Sequence, residues 1–246
     1  MHEVTELLDI AKRSALKAGS FLKDNFNNSH SKILDDGRDI KLSIDCESED
    51  LILKILKSET NLRILSEESG KTDDLKGKYW IVDPLDGTSN YFRKIPICAV
   101  SIALMENDIP LLGVIYDFMN EDLYFAAKSY GSFCNDQKIS VSNITDIKKG
   151  TIMTGIPAKS HYSDEEFSMI ISLFQSWKKV RMIGSAAVAN LYVADGRADC
   201  YEEKDTFIWD VAAGAIIVEE AGGFASLSEI RNDFRVDAKF TNGKVF

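Results

Sequence analysis

The chain has 246 residues, 45% of them hydrophobic and 28% charged, which is ordinary globular material and lies outside the disordered class. Its formal charge of −10, from 39 acidic against 29 basic residues, argues against a nucleic-acid polymer or an anionic membrane as the main ligand. Both are bound through an excess of Lys and Arg.

Val4, Leu7, Leu8, Ala11, Ala15, Ala18 and Leu22 recur at helical spacing, with Lys and Asp opposite, and predict an amphipathic helix over 4–26. A polar stretch over 30–39 follows, with Asp35-Asp36-Gly37 as a turn signal, and residues 31–41 are expected to flank a site. Residues 49–57 carry Leu51, Ile52, Ile55 and Leu56 and predict a second helix, and 62–65 read as a short strand ending in Ser66-Glu67-Glu68. Strand-like runs come next at 79–82, 97–105, 110–118 and 123–127, with turns at Gly131 and Asn135-Asp136. Two helices beside consecutive strands predict an α+β half with an antiparallel sheet.

Beyond about residue 138 the pattern alternates. A strand at 152–154 precedes a helix over 163–177, capped by Ser163 with Glu166 three residues on. A strand at 180–183, a small-residue helix at 186–194 and a strand at 198–201 lead to a helix over 210–221 that ends at Gly222-Gly223. Such alternation is α/β. The expected organisation is therefore two halves, 1–137 and 138–246, packed together rather than tethered, since only four prolines occur and no linker stands out.

Several chemistries are missing. His2, His30 and His161 do not support a His-based triad or metal site, and no G-x-S-x-G elbow or G-x-x-x-x-G-K-[ST] loop occurs. Cys46, Cys98, Cys134 and Cys200 have neither zinc spacing nor a C-x-x-C pair. The first six residues lack a basic and apolar leader, and no run reaches the roughly 18–20 apolar residues of a bilayer span. A reduced, cytoplasmic chain is expected, its chemistry built from carboxylates, hydroxyls and backbone.

The sharpest feature is Trp80-Ile81-Val82-Asp83-Pro84-Leu85-Asp86-Gly87-Thr88. Pro84 lacks an N–H and is expected to force the chain from strand into turn, letting Asp83 and Asp86 converge with the Leu85 carbonyl as a neutral oxygen ligand. Gly87 permits positive φ, and the amides of Gly87 and Thr88 can then face an anion. Two carboxylates so close ionise together only with a cation between them, and hard oxygen ligands suit Mg²⁺. An Asp-Pro turn with an Asp helix cap fits the same segment, and the segment alone leaves both readings open. Glu67-Glu68 alone would be solvated, and Asp45 and Asp210, each beside a helix start, would alone be caps.

Taken in order, these residues resemble the inositol monophosphatase-like superfamily of Mg²⁺-dependent, lithium-sensitive phosphatases. The resemblance runs through Ile44-Asp45, Leu65-Ser66-Glu67-Glu68-Ser69, residues 80–90 with Pro96, Gly184-Ser185-Ala186-Ala187, residues 198–203, Trp209-Asp210-Val211-Ala212-Ala213-Gly214 and Ala221-Gly222-Gly223. It implies a layered αβαβα sandwich and two or three Mg²⁺ ions. Glu67, Asp83 and the Leu85 carbonyl would hold one ion, and Asp83, Asp86 and Asp210 a second. The Gly87 and Thr88 amides would hold the phosphate, and Gly184, Ser185, Ala186 and Glu203 would contact the organic part of the substrate. Thr88, paired with Asp45, would position the attacking water and accept its proton. A homodimer acting on a small phosphorylated substrate, with no membrane or nucleic-acid polymer as partner, is the implied assembly.

Within the superfamily, Ser89-Asn90-Tyr91 with Pro96, and Glu203, resemble the inositol branch, whereas Leu65-Ser66-Glu67-Glu68 and Asp-Pro-Leu-Asp are also familiar from 3′(2′),5′-bisphosphate nucleotidases. Fructose-1,6-bisphosphatase and histidinol-phosphate phosphatase activities are further alternatives, as is a non-catalytic role beside the transcription machinery. A haloacid-dehalogenase phosphatase would need D-x-D, where this chain has D-x-x-D. The acidic balance does not exclude a phosphate ester, because bound divalent ions invert the local field.

Overall fold

Helix α1 (His2–Asn25) buries the predicted stripe, and its Gly19 lets it approach closely: a Cβ there would stand 2.3 Å from the Tyr116 ring. A computed structural model describes residues 2–28, 32–36, 39–71, 75–156 and 161–245. His30, Ser31, Gly37 and Arg38 of the polar stretch lie outside the described residues. Within that stretch β1 (Lys32–Asp36) and β2 (Asp39–Leu42) pair antiparallel. They lead straight into α2 (Ser43–Glu59), which starts six residues before the expected helix. The early start has a local cause: Asp45, third in the helix, accepts the Leu42 N–H at 2.7 Å and satisfies a donor the first turn leaves open.

An eight-stranded sheet follows. Its strands are β3 (Arg63–Ser66), β4 (Gly70–Lys71), β5 (Lys78–Asp86), β6 (Ala99–Glu106), β7 (Ile109–Asp117), β8 (Asp122–Ala127), β9 (Gly131–Cys134) and β10 (Gln137–Lys138), with the short helix α3 (Thr88–Phe92) after β5. The order is β10-β9-β8-β7-β6-β5-β3-β4, antiparallel except for the parallel pair β3–β5. Gly131 opens a strand rather than making the expected turn, and Asn135-Asp136 turn between β9 and β10 as expected.

The remaining elements are β11 (Thr151–Met153), α4 (Asp164–Ser176), β12 (Lys179–Arg181), α5 (Ala186–Ala194), β13 (Cys200–Phe207), α6 (Ile208–Glu220), β14 (Phe224–Leu227) and β15 (Arg235–Thr241). They form a five-stranded sheet of order β12-β11-β13-β15-β14, parallel through β13 and antiparallel beyond. The predicted Ser163–Glu166 capping box starts α4, with the Ser163 N–H donating to Glu166 at 2.8 Å.

Five layers result: α1 with α2, the large sheet, α5 with α6, the small sheet, then α4. Alternation along the strands decides which face meets which layer. Trp80 and Val82 face α1 and α2, and Tyr79 and Ile81 face α6. In the small sheet, Met153 and Tyr201 belong to the α6 side, and Ile152 and Cys200 pack with Leu173 of α4 and with Trp177 just beyond it. Helix α6 is buried at ten positions, and a Cβ on Gly113 would stand 2.5 Å from the Ala213 carbonyl. No residue of α4 is buried. No helix among the described residues is long and apolar enough to cross a membrane.

Candidate metal centre

The alternation that turns Ile81 toward α6 also turns Asp83 that way, but in a regular strand Asp86, three residues on, would point to the opposite face. A bulge prevents this. Asp83 pairs with Ser101 and Asp86 with Ala99, so the three-residue step on β5 faces a two-residue step on β6. Pro84 therefore does not end the strand, as expected from the sequence. It occupies the bulge, where its missing N–H breaks no ladder bond, and β5 runs on to Asp86. The extra residue brings both carboxylates to one face, and the Leu85 N–H donates to Asp83 Oδ1 at 3.0 Å across it.

Glu67 arrives from the parallel neighbour. Ser66 is in register with Val82, and the Glu67 N–H donates to the Val82 carbonyl at 3.1 Å, so Glu67 leaves β3 beside Asp83. Asp210 comes from the first turn of α6, at the third position rather than at the cap. It accepts the Thr206 hydroxyl at 2.9 Å and the Phe207 N–H at 3.3 Å. Ser101, opposite Asp83, donates to the Trp209 carbonyl at 3.2 Å and pins the start of α6 to the large sheet.

Asp86 joins the two sheets' machinery. Its carboxylate accepts the Ser185 hydroxyl and the N–H groups of Ala186 and Ala187, at 3.3 and 3.0 Å, at the start of α5. The positive end of a helix thus faces a carboxylate from the large sheet. Ser185 also caps α5 through the Val188 N–H at 3.2 Å. Gly184 precedes it at φ 74°, against Asn90, whose side chain donates to the carbonyls of Ile97 and Ile183 at 2.8 Å each. A Cβ on Gly184 would meet Asn90 Oδ1 at 3.0 Å.

Carboxylate oxygens of Asp83, Asp86 and Asp210 lie within 4.8 Å of one another. Asp83 is 1% exposed and Asp86 7%. Burial pushes the carboxyls of Asp83 and Asp210 well above the ordinary range, and repulsion inside the cluster adds to it. Glu67 is exposed as a residue, yet its carboxyl is raised as well, by burial first and then by Asp210, Glu68 and Asp45. Asp86 reaches only about 6, because Ser185 and the α5 amides favour its charged form against burial. A group of acids that cannot ionise together in a dry site fits a small, hard divalent cation.

The other sequence-predicted residues have definite places. Gly87 adopts φ 85° and caps α3, and a Cβ there would stand 2.9 Å from the Ile97 carbonyl. The Thr88 hydroxyl donates to the Leu85 carbonyl at 3.0 Å, and Asp45 holds the Leu42 N–H. Thr88, first in α3, thus reaches back one turn, and one oxygen of Asp45 serves the start of its own helix. Glu203 accepts the Tyr201 hydroxyl at 3.0 Å, packs on Gly155, and is raised to about 7 by burial, with the Asp86 charge adding to the rise. It also lines a cleft of about 290 Å³ with Thr154, Tyr162, Met169, Ile170 and Phe174. Thr206, Ser48 and Glu49 escaped the sequence reading; for the last two, helical spacing from Asp45 was the available signal.

The Inositol monophosphatase family model matches residues 3–230. A Nus factor SuhB of Pasteurella multocida is 36% identical over 225 residues, 88% of this chain and 83% of that protein. An inositol-1-monophosphatase of Synechocystis is 36% identical over 224 residues, covering 89% and 78%. The solved structure of an inositol monophosphatase from Anabaena superposes with a TM-score of 0.85 at 33% identity, over 98% of this chain and 92% of that one.

Proposed function

The chain belongs to the inositol monophosphatase family, and we propose that it hydrolyses a small phosphate monoester, inositol monophosphate or a related polyol phosphate, in a Mg²⁺-dependent reaction. The observation that carries this is the convergence within 4.8 Å of three carboxylates, two buried and one half-buried, produced by the β5 bulge and the first turn of α6. Glu67, Asp83, the Leu85 carbonyl, Asp86 and Asp210 would hold the ions. Mg²⁺, when bound, supplies positive charge against the phosphoryl group and acidity to water.

The chain's own residues do the rest. The Gly87 and Thr88 amides, at the start of α3, bind the phosphate. Thr88 turns its hydroxyl from Leu85 to the attacking water and accepts its proton while passing its own to Asp45. Gly184, Ser185 and Ala186 line the organic side of the substrate, and Glu203 accepts from its hydroxyls. The test is phosphate release with Mg²⁺ from inositol-1-phosphate, fructose-1,6-bisphosphate, 3′-phosphoadenosine-5′-phosphate and histidinol phosphate. Inositol-1-phosphate is expected to be turned over best, with inhibition by millimolar lithium. Fastest release from the bisphosphonucleotide would move the chain to the nucleotidase branch.

One observation favours a second reading. Relatives named Nus factor SuhB match most of the chain, so a role beside transcription machinery, apart from catalysis, is the alternative. Release from none of the four substrates would favour it.

A further inference from the structure

Helix α2 buries three polar side chains on one face, Asp45, Ser48 and Glu49, at the i, i+3, i+4 spacing of helical neighbours. Asp45 is used above; the other two are not. The Ser48 hydroxyl donates at 2.9 Å to the Pro84 carbonyl, inside the bulge that aligns Asp83 with Asp86. Glu49 Oε2 accepts the Ser66 hydroxyl and, at 3.1 Å, the Glu68 N–H, and so holds both chain neighbours of Glu67. Ser48 is fully buried and Glu49 is 4% exposed.

Burying a carboxylate is costly, and apolar residues at these positions would pack α2 on the sheet at less cost. What the polar pair supplies is position. The Glu67 segment is tied to β5 by the bond from its N–H to the Val82 carbonyl, one residue beyond the end of β3, and the β5–β6 register shifts just after Asp83. The backbone on both sides of the acid cluster therefore lies where the sheet ladder gives out, and α2 grips it there.

We propose that Glu49, supported by Ser48, is a positioning residue of the metal centre, setting where Glu67 stands relative to the Asp83–Asp86 bulge through main-chain and hydroxyl hydrogen bonds rather than by touching an ion. This rests on the metal-dependent reading above.

Calorimetric titration of the full chain with Mg²⁺ alone, beside steady-state kinetics at varied Mg²⁺, tests it. Glu49→Leu removes both bonds and is expected to weaken Mg²⁺ binding by about 10–100-fold, the usual effect of losing a group that orients metal ligands. Saturating Mg²⁺ should restore most of kcat. Glu49→Gln keeps an acceptor oxygen and should bind Mg²⁺ nearly as wild type does. Ser66→Ala should weaken binding alone and add nothing to Glu49→Leu; if Glu49→Leu does not fold, Ser66→Ala and Glu49→Gln carry the test. Undiminished Mg²⁺ affinity in Glu49→Leu and Ser66→Ala, or a loss in Glu49→Gln as large as in Glu49→Leu, would overturn the assignment. Wild-type chain that takes up Mg²⁺ but releases phosphate from no ester would defeat the proposed reaction and leave this inference standing, whereas wild type that takes up no Mg²⁺ would defeat both.

Discussion

The acid cluster and the cleft beside Glu203 are built in opposite ways. Around the cluster each carboxylate is tied down: Asp83 by the Leu85 N–H, Asp86 by Ser185 and two α5 amides, Asp210 by Thr206 and the Phe207 N–H. The cleft instead takes one wall from α4, a helix with no buried residue. The contrast teaches where this fold spends its precision. Like charges held close in a dry site tolerate little misplacement, so backbone and helix ends fix them.

The largest expected effect strikes the tied-down side. Asp83→Asn should lower Mg²⁺-dependent phosphate release by at least about 10³-fold, given the several kcal/mol such charge stabilisation supplies, while circular dichroism shows an intact fold. Wild-type kcat in that variant would remove the cluster from the chemistry altogether.

Next comes pH. Asp83, Asp210 and Glu67 are raised by burial and mutual repulsion, Asp86 lies at about 6, and Glu203 at about 7. A carboxyl raised on folding favours the folded state fully below its unfolded value, and the benefit is lost as pH rises through the folded value. In EDTA, thermal unfolding should therefore come at a lower temperature at pH 8 than at pH 5.5. Mg²⁺ should reverse the loss, and Asp83→Asn should flatten the dependence. A wild-type chain equally stable at both values would mean that the carboxyls do not crowd one another as the geometry requires.

Ser185→Ala removes the α5 cap and one bond to Asp86 together, and denaturant unfolding should show a loss of about 1–2 kcal/mol. The smallest effect belongs to the cleft. Met169, 63% exposed on α4, should tolerate replacement by Ser with stability within about 0.5 kcal/mol of wild type. A larger loss would mean that the outer helix is held more firmly than its exposure implies.

Much of this was legible in the residues, because the signals were local. The stripe of α1, the Ser163–Glu166 box and the small-residue helix α5 each lie within one turn or one face of their own segment. The acidic residues of the candidate centre were legible as a set, but not the device that unites them. A proline after a strand reads as a turn, and only the pairing with β6 reveals a bulge. Asp45 and Asp210 read as caps, yet each sits one turn in and reaches back to the N–H of an apolar residue, Leu42 or Phe207. Strands β14 and β15 went unread, although Val236, Ala238 and Phe240 alternate and Gly222-Gly223 and Asn232-Asp233 precede them, because β14 finds its edge only on β15, and β15 pairs with β13 across the whole of α6. Asp86 meets the α5 amides about a hundred positions away, beyond the reach of any local pattern.

The layer formed by α5 and α6 has a consequence for how the molecule is made. Strands β5 to β10 are complete by Lys138, but the helix that covers their inner face ends only at Glu220. At a synthesis rate of about 5–20 residues per second, that face waits roughly 4–16 seconds for the remaining 80 or so residues. During that interval Ile81, Ala103 and Ile115 face solvent or a helper protein instead of α6. The nascent chain thus passes through an interval when half its core is built and bare, and chaperone demand should peak there rather than at release from the ribosome.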